Sequence, residues 1–345
     1  SPSPFAAAGY DVSAVRAIEP RFGTLADAEA LIAAAHDRGL RVLLDIVPNH
    51  TSEQHVWFQQ ALAAGPGSPE RERYIFREGR GEHGELAPND WRSAFHGPAW
   101  TRITEADGTP GPWYLHLFAP EQPDLNWHHP DVHADMIETL RFWFDRGADG
   151  FRIDVAHSLI KEAGRPDIGE RGWNRLPFRL QPIPGVHQTD HPHWDRDEVH
   201  EIYREWRAVA DAYHPPRIFV AEAWTPDPSR TARYVRSDEL HTAFNFDFLR
   251  CRWIADHLRG VIDDTLHEHR SVGATATWVL SNHDVARHVS RFARPQRGGV
   301  RGHHLRDLAA EADIELGVRR ARAAALLMFA LPVLTLGLPG LLGLL

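Results

Sequence analysis

The sequence predicts an α/β protein built as a parallel (β/α)-barrel, and three observations carry that expectation. Short, almost continuously apolar runs alternate with longer segments whose apolar residues recur at helical spacing. That is the pattern of a parallel sheet covered by helices. Asp45, Asp154, Glu222 and Asp284 each fall at or near the C-terminal end of a different apolar run. Counting strands does not separate a doubly wound sheet from a barrel. Carboxylates gathered at that end of the strands do, because a parallel barrel assembles its active site there.

Residues 24–39, "TLADAEALIAAAHDRG", predict a helix with a Thr cap and a Gly stop. "LRVLLDIV" (40–47) predicts a strand. The Pro/Gly/Trp-rich stretch 51–127 is too long for a simple loop and predicts structure of its own. A helix over 133–147 leads to strand "DGFRIDVA", and a helix over 197–213 leads to "RIFVAEAW" (217–224). Then come "HTAFNFDF" (241–248), a helix over 249–262, strand "ATATWVLSNHD" (274–284), a helix over 308–330 and the apolar run "PVLTLGL". Strands are thus expected near residues 42, 151, 218, 243, 277 and 333. The expected division is 1–50 as barrel, 51–127 as an inserted small domain, and 128–345 as the rest of the barrel.

Composition narrows the function. The 345 residues are 43% apolar and 25% charged, as in ordinary globular proteins, and the net charge of −9 argues against nucleic acid as a partner. Lys161 is the sole lysine, which reads as a compositional preference for arginine. A single cysteine, Cys251, gives no disulfide framework and suits a reducing, cytoplasmic setting. Twelve tryptophans suit sugar rings, but a packed core is the better account of them. Residues 326–345 carry no charge, yet their prolines and glycines favour a helix end and a buried strand over a membrane span. A membrane partner is therefore not expected.

The stretch "GFRIDVAH" (150–157) places Arg152 and Asp154 on one face of an apolar strand. A buried ion pair seldom adds net stability, so the alternative is a carboxylate held ionised for chemistry. Glu222, between Ala221, Ala223 and Trp224, sits in the apolar setting that suits a general acid. One ionised and one protonated carboxyl group are what glycoside hydrolysis requires. His283-Asp284 could instead ligate a metal, but the pair ends a strand and lacks the further ligands such sites use. "HQTDHPHW" (187–194) lacks regular ligand spacing and is expected to be a solvated loop.

"DIVPNH" (45–50), "GFRIDVAH" (150–157), "FVAEAW" (219–224) and "VLSNHD" (279–284) closely resemble the four strand-end motifs of the α-amylase superfamily, in its order and spacing. "QPDLNW" (122–127), "GYDVSAV" and "NDWRSAFHGPAW" (89–100) resemble its α-glucosidase and oligo-1,6-glucosidase branch. The resemblance implies Asp154 as nucleophile, Glu222 as acid/base and Asp284 as stabiliser of the oxocarbenium-like transition state. It implies Arg152 as the group that orients and ionises Asp154, His50 and His283 as sugar ligands, Asp11 as part of the pocket's closed end, and Asp45 as support.

The resemblance further implies a (β/α)8 TIM barrel whose first two strands lie before residue 1, so truncation at both ends is expected. It implies a small carbohydrate substrate and no cofactor for the chemistry. A structural calcium belongs to the complete family fold, but its usual loop is absent here. The expected activity is retaining hydrolysis of α-glucosidic bonds in short oligosaccharides. An inactive truncated paralogue, a barrel-based interaction module and a transglycosylase on the same scaffold are the alternatives.

Overall fold

A computed structural model describes residues 1–95, 97–169, 191–296 and 311–332. They form two compact units, one from residues 1–169 and 191–219, the other from 220–296 and 311–332. The expected strand near 333 lies outside the described residues.

In the first unit, α1 (Leu25–His36) begins on Thr24, whose side chain accepts from Asp27 N–H while Asp27 reaches back to the Thr24 N–H. Two otherwise unpaired donors of the first turn are satisfied by that reciprocal exchange. Strand β1 (Leu43–Ile46) lies parallel to β5 (Gly150–Ile153), with Leu43 opposite Gly150 and Asp45 opposite Arg152. Gly150 has a packing reason: a Cβ there would sit 2.1 Å from the Ile218 carbonyl oxygen. α4 (Pro130–Phe144) buries Val132, Met136, Leu140, Trp143 and Phe144, a stripe at helical spacing. α5 (Val199–Asp211) does the same with Ile202, Tyr203, Trp206 and Val209. Phe144, Phe151, Phe219 and Trp206 pack ring to ring between them.

Within residues 51–127 stand α2 (Val56–Ala64), α3 (Pro69–Glu72) and an antiparallel sheet. The sheet has the order β2 (Phe76–Arg77), β4 (Pro110–Leu115), β3 (Trp100–Thr104). Trp91, Trp100, Leu115 and Leu117 form its own small core. Buried Arg71 ties the helices to it through Glu105 at 2.6 Å and the Ala61 and Leu62 carbonyls. Five tryptophans, at 91, 100, 127, 206 and 224, are almost fully enclosed, so the core reading of tryptophan holds for them.

In the second unit, the end of β6 (Ile218–Ala221) pairs in parallel with β7 (Thr242–Asn245), and β7 with β8 (Thr277–Trp278). The remaining helices are α6 (Pro228–Tyr234), α7 (Phe246–Arg250), α8 (Ala255–Ser271), α9 (His288–Phe292) and α10 (Ile314–Ala330). Phe248, Trp278, Leu280, Phe292 and Met328 make this unit's core. Two expectations are corrected here. "HTAFNFDF" is a strand only to Asn245, whose side chain accepts from Phe248 N–H and starts a helix. The single helix expected over 249–262 is two, because Cys251 and Ile254 are extended and separate α7 from α8.

The expected solvated loop is also corrected where it is described. His193 and Trp194 are buried, His193 packing on Trp91 at 4.6 Å, and the Pro192 carbonyl accepts from Glu162 N–H.

Asp149, just before β5, pins the N-terminal edge of the first unit's strands. It accepts from Val42 N–H at 2.8 Å and from Arg41 at 3.0 Å, and pairs with His36 at 2.7 Å. Replacing it with Ala would take the acceptor from Val42 N–H and the carboxylate from two part-exposed partners, Arg41 and His36. Asp149→Ala is expected to lower unfolding stability by about 1–3 kcal/mol, read by urea denaturation.

Candidate active site

Parallel pairing explains why charged groups meet at the C-terminal end of β1 and β5. Asp45 and Arg152 are register partners, and Arg152 and Asp154 share a strand face. A single nitrogen, Arg152 Nη1, therefore donates to Asp154 Oδ1 at 2.6 Å and to Asp45 at 2.9 and 3.0 Å. Asp154 is 6% exposed. The Tyr10 hydroxyl joins the group, lying 3.4 Å from both Asp45 and Arg152. The next residue, Val155, has φ 37°, a left-handed conformation that costs a β-branched residue energy. It turns the chain immediately after the carboxylate.

Asp11 is fully buried and already engaged. It accepts from the Ser3 hydroxyl at 2.7 Å and from the Ala6 and Ala7 amides at 2.9 and 3.1 Å. The sequence-expected sugar ligand His50 is also buried, with Asn49 Nδ2 3.1 Å from Nδ1 and Gln122 Nε2 2.8 Å from Nε2. Burial is the largest influence on its ring and pushes its pKa down to about 4.

Behind His50 lies a network that sequence reasoning missed. Lys161 Nζ is enclosed, 2.7 Å from both Asp124 Oδ2 and Asn49 Oδ1. Asn49 Nδ2 donates to the same Asp124 oxygen, and Asp124 Oδ1 accepts from Leu117 N–H. Desolvation lowers the lysine's pKa, opposed by the Asp124 charge. The sole lysine is thus a structural cation joining "DIVPNH", "QPDLNW" and the chain after "GFRIDVAH". Its singularity was the available signal.

The second unit carries the other carboxylates. Glu222 is 4% exposed at the end of β6 and accepts from the Trp224 indole N–H at 3.3 Å. Asp284 is partly exposed in the loop after β8; its backbone N–H donates to Asn282 Oδ1, and His283 lies beside it, half-exposed. Arg291, also missed from sequence, clamps that loop: its buried guanidinium donates to the carbonyls of Leu280, Ala286 and Leu249. Among the described residues no group of three or more His, Cys, Asp or Glu is arranged to hold a metal ion, and no helix is long and apolar enough to cross a membrane.

The family profile described as "Alpha amylase, catalytic domain" matches residues 2–310. The chain belongs to this family. An α-glucosidase of Apis mellifera is 34% identical over 297 residues, covering 84% of this chain and 50% of that protein. An α-glucosidase of Schizosaccharomyces pombe is 44% identical over 311 residues, with the same 84% and 50% coverage. A crystal structure described as an α-glucosyl transfer enzyme superposes with TM-score 0.74 at 31% identity, covering 85% of this chain and 53% of that one. The chain spans about half the length of the curated relatives it matches. As an α-amylase-family catalytic domain it has the α/β barrel class that its parallel strands and strand-end carboxylates predict.

The buried His50 has a consequence for acid stability. Above pH 6.5 the ring is neutral both folded and unfolded; between 6.5 and about 4 only the unfolded chain takes up the proton. Its contribution, about 3 kcal/mol, is therefore lost as pH falls through that window. Denaturation of the protein and of His50→Gln from pH 7 to 4 tests this: the variant is expected to show a slope shallower by up to one proton.

Proposed function

We propose that this chain carries the catalytic groups of a retaining α-glucoside hydrolase acting on short oligosaccharides. The observation that carries the reading is the Asp154 carboxylate, buried yet bonded at 2.6 Å to a guanidinium that also holds Asp45. A nucleophilic carboxylate must be ionised and aimed before substrate arrives, and a fixed cation beside it does both. In this reading an Asp154 oxygen attacks the anomeric carbon, and the bond to the leaving oxygen breaks with its electron pair. Glu222 gives that oxygen its proton. A water then gives a proton to Glu222, its oxygen attacks the same carbon, and Asp154 leaves as carboxylate, so the configuration is retained. In the same reading Asp284 stabilises the oxocarbenium-like transition state, His50 and His283 bond the sugar, Asp11 helps close the pocket's end, and Asp45 supports Arg152. Residues 51–127 form a wall of the pocket as a small inserted domain. The single buried cysteine suits a cytoplasmic setting.

A second reading is glucosyl transfer to a sugar acceptor instead of water. It is favoured by the structural neighbour described as an α-glucosyl transfer enzyme. Product analysis on maltose separates the two: hydrolysis gives glucose alone, whereas transfer gives one glucose for each new glucosylated sugar.

The purified protein is expected to release the α-anomer first, as followed by proton NMR; initial β-anomer would overturn retention. Asp154→Asn is expected to lower turnover by about 10⁴-fold or more. Glu222→Gln should lose about 10²–10⁴-fold on maltose while still being glycosylated by α-glucosyl fluoride, whose leaving group needs no proton. Equal loss on both substrates would remove Glu222 from the acid/base role.

A further inference from the structure

Glu222 does not stand alone at the end of β6. The indole N–H of Trp224, two residues on and 2% exposed, donates to Glu222 Oε1 at 3.3 Å. The indole is itself fixed: its ring stacks on Phe246 with centroids 4.0 Å apart and planes 17° from parallel. Leu249 and Val285 close the same apolar cluster, and Val285 directly follows Asp284.

A protonated carboxyl group has one oxygen that donates and one that is the better acceptor. A donor held against Oε1 makes Oε1 the acceptor oxygen, so the transferable proton resides on Oε2. Packing of the indole against Phe246 makes that choice geometric and not a matter of side-chain rotation, which matters because proton transfer depends on placement within hydrogen-bond reach.

We propose that Trp224 is a positioning residue for the acid/base. Its N–H selects which Glu222 oxygen carries the proton, and its stack on Phe246 holds that selection. The inference rests on the assignment of Glu222 as acid/base. It goes beyond that assignment by giving the group an orientation and a cause.

The test compares kcat/KM for two substrates in the full protein. Maltose needs its leaving oxygen protonated; α-glucosyl fluoride does not. Trp224→Phe keeps a ring for Phe246 and removes the donor. It is expected to lose about tenfold on maltose and less than about threefold on the fluoride. A purely packing role would lower both by one factor, and that result, or no loss on maltose, overturns the proposal. Should Trp224→Phe fail to fold, replacing the indole with benzothiophene (sulfur in place of N–H, shape kept) gives the same contrast. Failures are distinguishable. If Glu222→Gln loses both substrates equally, the acid/base assignment falls and takes this inference with it. If Glu222→Gln is selective and the Trp224 variants are not, only the inference falls.

Discussion

One guanidinium organises the first unit. Arg152 Nη1 holds Asp154 and Asp45 together, and two carboxylates brought to one nitrogen would repel each other without it. The arrangement depends on register. Asp45 faces Arg152 only because Leu43 faces Gly150, and a one-residue slip would send each side chain to the opposite face. That register is secured at the other end of the strands, where Asp149 receives Val42 N–H and Gly150 allows the Ile218 carbonyl to approach. Site geometry and strand pairing are therefore a single constraint.

The second unit reaches the same end by different means. Glu222 accepts from an indole N–H and is almost fully enclosed. The loop bearing His283 and Asp284 is fixed from below by Arg291, which binds carbonyl groups and leaves the acidic side chain partly open. In the proposed reading, a carboxylate bonded to arginine and a carboxyl group held beside an indole are the two contrasting environments that nucleophile and acid need.

Much of this was legible in the sequence, because periodicity is local. Alternation placed Arg152 and Asp154 on one face, and the apolar stripe of α4 was visible without coordinates. What escaped was non-local or context-dependent. Lys161 looked like a compositional remnant because its partners, Asn49 and Asp124, lie in distant segments. The break between α7 and α8 escaped because the helical spacing of apolar residues continues through it. His191 and His193 looked solvent-bound because a Pro/His-rich stretch carries no periodicity to reveal the tryptophan it packs against.

The enclosed lysine also gives the protein a chemical property. Arginine supplies every other fixed positive side chain, so Lys161 is the one side-chain amine that acylating reagents can find. It is paired and only 2% exposed, so acylation requires the segments around His50 to separate first. The rate of amine modification at Lys161 is thus an intrinsic clock for opening of that part of the molecule, present without any engineered label.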